Sequence, residues 1–162
     1  MNSTFKIISE RLELNRYFDS DDKYINTLIL EYKNLNCPFH IHNVSSEMKF
    51  LIYKKGVAEL VGFCGIDIDY ENSSGKIFYI LFPQHKRNGF AIESIRSLTK
   101  FAFTELNLKF IKAEIPFKLK GAWKPAERAG MRYMGDFREQ DQNSRFLLFK
   151  INKKEYLNQA FY

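Results

Sequence analysis

The sequence predicts an α/β (α+β) protein, with a central mixed, mostly antiparallel twisted sheet of about seven strands and helices on both faces. Three observations predict it. Residues 50–82 hold three apolar runs separated only by short turn-forming segments, the pattern of an antiparallel meander. Residues 91–103 carry apolar side chains at helical spacing. The remainder then reads as strand, short helix and a pair of strands. The chain has 162 residues, 45% hydrophobic and 27% charged, which suits one domain over 1–162 with a substantial core.

From Phe5 to Phe18 apolar and polar residues alternate loosely, as in Leu12-Glu13-Leu14-Asn15, which reads as one or two strands with one buried face. Asp19-Ser20-Asp21-Asp22 offers short side-chain acceptors for the free N–H groups of a helix start. That helix keeps Ile25, Leu28, Ile29, Tyr32 and Leu35 on one face and ends at Asn36-Cys37-Pro38. Phe39 to Ser46 has no clear period and holds His40 and His42, so it reads as a loop or short helix of the kind that carries substrate contacts. Phe50–Tyr53, Leu60–Ile68 and Lys76–Phe82 follow as strands, with turns at Lys55-Gly56 and Glu71-Asn72-Ser73-Ser74-Gly75. Ile92, Ile95, Leu98, Phe101 and Ala102 make the stripe of the next helix. Phe110–Pro116 reads as a strand, Ala122–Ala129 as a short helix, and Met131–Phe137 with Phe146–Ile151 as a closing strand pair.

No apolar run approaches the roughly 18 to 20 residues a bilayer crossing needs, and Met1-Asn2-Ser3-Thr4-Phe5-Lys6 has no secretory apolar region. A cytoplasmic protein without a membrane partner is expected. Cys37 and Cys64 match neither a CxxC pair nor a zinc spacing, so no metal is expected. Cys64 falls on a buried strand without a partnered histidine and reads as a core residue rather than a nucleophile. The net charge of +6 would draw polyanions, but the lysines are scattered and most aromatics occupy core-type positions. No nucleic-acid partner is expected.

Between the strand ending at Phe82-Pro83 and the helix starting near Gly89 lies Gln84-His85-Lys86-Arg87-Asn88-Gly89-Phe90-Ala91. Backbone N–H groups at a helix start have no helical acceptor, and the helix dipole adds positive potential there. Gly89 allows close approach of the backbone, so the loop reads as a seat for a diphosphate. It is not a P-loop, which needs GxxxxGK followed by Ser or Thr, nor a dinucleotide fingerprint, which needs more glycines.

Residues Tyr79 to Glu93 resemble the coenzyme A motif of GNAT acetyltransferases: Arg or Gln, two residues, Gly, one residue, then Gly or Ala. Lys86, Gly89 and Ala91 occupy its positions, with Lys86 a departure from Arg or Gln. The flanks are similar to the branch that acetylates ribosomal-protein N-termini, whose helix begins Gly-Tyr-Ala-x-Glu. The resemblance extends to Ile8-Ser9-Glu10-Arg11-Leu12-Glu13-Leu14, Leu60-Val61-Gly62-Phe63 and Ala126-Glu127-Arg128-Ala129-Gly130-Met131, leaving only residues 23–48 without a clear counterpart. It implies the GNAT fold, with splayed strands forming an acetyl-CoA cleft. It also implies acetyl-CoA as co-substrate, with the backbone of Leu81 and Phe82 pairing with the pantetheine arm and N–H groups from Arg87 to Ala91 taking the diphosphate. A free N–H near Leu81 would polarise the thioester carbonyl. The resemblance also puts Trp123, Lys118, Lys120 and Lys124 where the adenosine end would lie, so that a lysine such as Lys124 would meet the 3′-phosphate; ordinary solvated lysines account for the same residues equally.

One part of the pattern is broken. Relatives carry Asn, and Ser three residues later, near the leaving thiolate; here Leu119 and Ala122 stand at those positions, and the tyrosine of other branches maps near Ala126. None can donate a proton from its side chain. Water, or a substitute such as Tyr79 or Tyr133, would then protonate the sulfur, or the protein binds the coenzyme without turnover. His40, His42, Asp67 and Asp69 are the candidate bases for the attacking amine, whereas Glu93 reads as electrostatic support for the first helical turn. The expected activity is N-acetyl transfer by direct attack of a primary amine, either a protein N-terminus or a small molecule such as a polyamine, aminosugar or antibiotic, by a monomer or homodimer. The competing reading is an inactive acyl-CoA-sensing module.

Overall fold

The computed structural model describes residues 5–17, 23, 27, 48–140 and 144–159. Their strands are β1 (Lys6–Ile8), β2 (Leu12–Arg16), β3 (Met48–Lys54), β4 (Leu60–Asp69), β5 (Ser74–Leu81), β6 (Phe110–Pro116), β7 (Arg132–Arg138) and β8 (Arg145–Asn152). They form one sheet in the order β1-β2-β3-β4-β5-β6-β8-β7. There are eight strands rather than about seven because residues 5–18 contain two, paired antiparallel around Ser9–Arg11. β5 starts at Ser74, inside the expected turn, because Ser74 and Gly75 still pair with Asp69 and Ile68.

Three helices follow the fifth strand: α1 (Phe90–Thr104), α2 (Lys124–Arg128) and α3 (Lys153–Gln159). The closing α3 has no sequence expectation behind it; Tyr156 from it meets Phe103 of α1 with ring centroids 5.3 Å apart. The expected helix and loop over 19–46, including His40 and His42, lie outside the described residues apart from Lys23 and Thr27, both helical.

Alternation along the strands divides the apolar residues between two faces. On one, Leu12, Leu14, Phe50, Ile52, Ile66, Ile77 and Leu81 pack with Ile95, Leu98, Ala102 and Phe103 of α1 and with Ala126 and Ala129 of the α2 region. On the other, Tyr17, Leu51, Phe63 and Ile80 form a smaller cluster, and none of the three helices contributes to it. Cys64 is fully buried in the larger cluster. Val61 is an extra residue in β4: Ile52 pairs with Gly62 but Tyr53 with Leu60. This is a β-bulge, which bends the strand beside the end of β5.

The sheet is antiparallel except between β5 and β6, which pair in parallel only over Ser74–Lys76 and Phe110–Lys112. Beyond Lys76 the two strands part, while β5 stays paired with β4 up to Leu81 and β6 with β8 up to Pro116. The wedge between them, closed at Lys76 and open at Leu81 and Pro116, is the cleft of the fold. Along β5 the main chain alternates in direction. Phe82 donates its N–H to the Val61 carbonyl at 2.9 Å, so the even-numbered residues bond β4, and the N–H and C=O of Tyr79 and Leu81 point into the wedge.

Candidate active site

A turn of 3₁₀-helix at Pro83–His85 links the open end of β5 to α1. His85 donates its N–H to the Phe82 carbonyl at 2.9 Å, and Lys86 its N–H to the Pro83 carbonyl at 3.3 Å. The chain then makes two left-handed turns of backbone, Arg87 at φ 66° and Gly89 at φ 79°. Successive N–H groups in such a conformation converge on one side and form an anion-binding nest. The first bond of α1 is Glu93 N–H to the Gly89 carbonyl at 3.1 Å. Among the described residues, the N–H groups of Arg87, Asn88, Gly89, Phe90, Ala91 and Ile92 have no acceptor, and no side chain caps the helix. Gly89 is therefore needed for its left-handed conformation as well as its small size.

Side chains hold this loop from behind. His85 is buried, its Nε2 3.3 Å from Glu59 Oε1. Glu93 accepts hydrogen bonds from Ser9 Oγ (2.6 Å), Arg11 N–H (2.7 Å) and Arg11 Nε (2.8 Å). Partial burial pushes its carboxyl pKa up, but the bonds from Ser9 and Arg11 outweigh that and hold it below the ordinary glutamate value. The expectation of electrostatic support from Glu93 thus takes a specific form: it ties the β1–β2 turn to the start of α1. Sequence reading put His85 in a polar loop and gave Arg11 no role, because neither contact is local in the chain. Lys86, Arg87 and Asn88 have exposed side chains, whereas Phe90 is buried.

On the other side of the wedge, β6 runs into the segment 117–123 and then α2. Ala122 donates its N–H to the Leu119 carbonyl at 3.2 Å. The Tyr79 hydroxyl crosses from β5 and donates to the Ala122 carbonyl at 2.8 Å. Burial pushes the Tyr79 phenol well above the ordinary tyrosine range. Trp123 stacks on Phe149 with centroids 6.4 Å apart and planes 8° from parallel, while Lys124 is exposed at the start of α2.

The remaining sequence candidates lie further away. Asp67 pairs with Lys76, at the closed end of the wedge, whereas Gly62, five residues earlier, pairs with Leu81 at the open end; at strand spacing that is ~17 Å. Tyr133 stands on β7, separated from β5 by β6 and β8. It is 55% exposed, and its hydroxyl lies 3.4 Å from Asp136 Oδ1. The structure therefore brings Tyr79, Leu81 and the loop 87–91 together and leaves Asp67 and Tyr133 apart from them. Burial raises the Cys64 thiol far above the ordinary range, which agrees with a core residue and not a thiolate. Among the described residues no group of three or more His, Cys, Asp or Glu is placed to hold a metal. No described helix is long and apolar enough to cross a membrane.

A family model described as acetyltransferase (GNAT) domain matches residues 9–132, which spans the β1–β2 turn, the wedge and the loop. The chain belongs to the GNAT acetyltransferase family. Acetyl-CoA is the co-substrate of that family, and the unpaired main chain of β5 with the open nest beside it fits such a carrier. Over 68 residues this GNAT chain is 40% identical to the uncharacterized N-acetyltransferase p20 of Bacillus licheniformis, a match spanning 41% of the chain and 38% of that relative. In fold it is similar to the spermidine N-acetyltransferase SpeG F149G mutant from Vibrio cholerae, at TM-score 0.76 and 20% identity over 94% of this chain and 99% of that one. A candidate ribosomal-protein-serine acetyltransferase from Vibrio cholerae follows at TM-score 0.69 and 16% identity, over 94% and 99%. A GNAT-family acetyltransferase from Bacillus anthracis gives TM-score 0.75 and 19% identity, over 93% and 99%. At these identities the three structures share its fold, and they do not select an acceptor.

Proposed function

We propose that this GNAT domain transfers the acetyl group of acetyl-CoA to a primary amine by direct attack. The observation that carries the reading is the run of unbonded N–H groups from Arg87 to Ala91, continuous with the free edge of β5. The diphosphate sits on those amides, with Lys86 at the motif's first position beside them and Lys124 at the adenosine end. The pantetheine arm pairs with the main chain at Leu81 as an added strand, whereas Phe82, expected to share that pairing, has its N–H on the Val61 carbonyl and its carbonyl on the His85 N–H. The Leu81 N–H donates to the thioester carbonyl, stabilising the negative charge that develops there as the amine nitrogen bonds to the carbonyl carbon. The C–S bond then breaks and coenzyme A leaves as a thiolate.

Leu119 and Ala122 offer no proton to that thiolate, but the Tyr79 hydroxyl is held beside them at the Ala122 carbonyl. A phenol with a raised pKa is fully protonated at neutral pH. It gives up its proton reluctantly, so its contribution is mainly a hydrogen bond to the sulfur, made by turning its single O–H from the Ala122 carbonyl to the departing thiolate, with water completing the transfer. The base that takes the amine proton is proposed among His40, His42 and water, since Asp67 is remote from Leu81.

The acceptor is proposed to be a protein N-terminus or a polyamine-like small molecule, the classes named for the ribosomal-protein and spermidine enzymes that share the fold. The test is acetyl-CoA-dependent release of free thiol across a panel of amines and N-terminal peptides, with selective turnover of one class expected. Tight coenzyme binding with no turnover across the panel would favour the sensing module, the reading that Leu119 and Ala122 support.

A further inference from the structure

We infer that Arg11 is a positioning residue for the coenzyme, aiming the amides of the loop without touching the ligand. The inference rests on the loop being the diphosphate seat. Arg11 Nη1 donates to the Asn88 carbonyl at 2.8 Å. A trans peptide is planar, so the Asn88 C=O and the Gly89 N–H point in opposite directions. Drawing that carbonyl toward Arg11 therefore turns the Gly89 N–H away from Arg11, toward the open side of the nest. Asn88 is the residue between the two left-handed positions, so this one peptide plane sets how the amides on either side converge.

Arg11 is itself held through its main-chain N–H, Nε and Nη1. Its N–H and Nε both bond Glu93, at 2.7 and 2.8 Å, and its guanidinium carbon lies 4.8 Å from the centre of the Phe90 ring. Ser9 holds the same carboxylate oxygen as the Arg11 N–H. The guanidinium thus spans Glu93 and Asn88 with two donors of a rigid fork. Lysine cannot reproduce that span with one ammonium point charge. Glu93 neutralises the Arg11 charge, so the effect on the ligand passes through the loop's geometry. The segment Ile8–Leu14, which sequence resemblance singled out without a role, gains one here.

The test compares two ligands on the full chain. Coenzyme A carries the diphosphate; S-acetylpantetheine shares the pantetheine arm but lacks it. Affinity for coenzyme A is read by calorimetry and for S-acetylpantetheine by ligand-detected NMR, with thermal unfolding as the control for folding. Arg11→Gln and Arg11→Lys are each expected to weaken coenzyme A binding roughly tenfold, the scale of one well-aimed charge-assisted hydrogen bond. Both are expected to leave S-acetylpantetheine binding within about twofold. Equal losses on both ligands, no loss on coenzyme A, or full rescue by lysine would each overturn the role of Arg11. Should the unmodified protein bind the two ligands equally, the diphosphate seat itself fails, whatever Arg11 does. If Arg11→Gln does not fold, Arg11→Lys carries the comparison, since it keeps the positive charge beside Glu93.

Discussion

The two walls of the wedge are built differently. The wall proposed to hold the coenzyme, from Pro83 to Glu93, is fixed from behind by Arg11, Glu93, Ser9, His85 and Glu59, and it presents main-chain amides. The opposite wall, 117–123, is a succession of turns with Gly121 in the left-handed region, to which the Tyr79 hydroxyl of β5 bonds at the Ala122 carbonyl. The contrast separates the two tasks of the site. On the proposed reading, binding is carried by backbone groups that no side-chain change deletes, so Lys86 in place of Arg or Gln is compatible with it. Protonation of the thiolate, with Leu119 and Ala122 at the usual positions, is proposed to draw on Tyr79 from another strand.

The largest expected effect breaks the first wall. Gly89→Val places a branched side chain at a φ of 79°, 3.2 Å from Arg11 Nη2 at its Cβ. The nest should distort and coenzyme A affinity fall by about 10²-fold or more, as several charge-assisted hydrogen bonds are lost together. Calorimetry checks the loss, and circular dichroism checks that the sheet persists. The second effect tests the other wall. Tyr79→Phe should lower kcat by about 10²-fold while leaving KM for acetyl-CoA nearly unchanged, the signature of a group acting after binding. Ala122→Ser in that background should recover part of kcat by returning a hydroxyl to the position. An unchanged kcat in Tyr79→Phe would leave protonation to water.

A smaller effect separates scaffold from ligand seat. The Glu93 pKa is lower in the fold than its ordinary value of 4.5. Its stabilising contribution is therefore complete above that value and is lost as pH falls through the lower, folded-state value. Glu93→Gln should cost roughly 1 to 2 kcal/mol at neutral pH, lower Tm by roughly 3 to 6 °C, and flatten the acid limb of a stability-versus-pH curve measured by chemical unfolding. The smallest effect is expected at Cys64. Cys64→Ala should leave kcat within about twofold, because a thiol buried in the core takes no part in direct attack.

Sequence reading reached the fold where periodicity and turns are local. The meander, α1, the short helix before Met131 and the closing strand pair all stand where alternation and helical spacing put them. The lengthened β5, the Val61 bulge and α3 did not announce themselves, because cross-strand pairing and docking on Phe103 decide them. The course of the loop 84–91 was legible because it leads into a helix start, set by local residues. The Arg11–Glu93–Asn88 tie was not, since it joins residues about eighty positions apart. The reach of Tyr79 to Ala122, across forty-three positions, was hidden for the same reason. Asp67 looked suitable by type, and strand register rather than composition removes it from the cleft.

The central claim is that free amides at the start of α1 bind the diphosphate. It is tested most directly by titrating coenzyme A into ¹⁵N-labelled protein and following the backbone amide resonances. The account predicts that the largest shifts fall on Arg87, Asn88, Gly89, Phe90 and Ala91, and that a pantetheine fragment without phosphates leaves them in place. Saturable coenzyme binding that moves other amides and not these would contradict it.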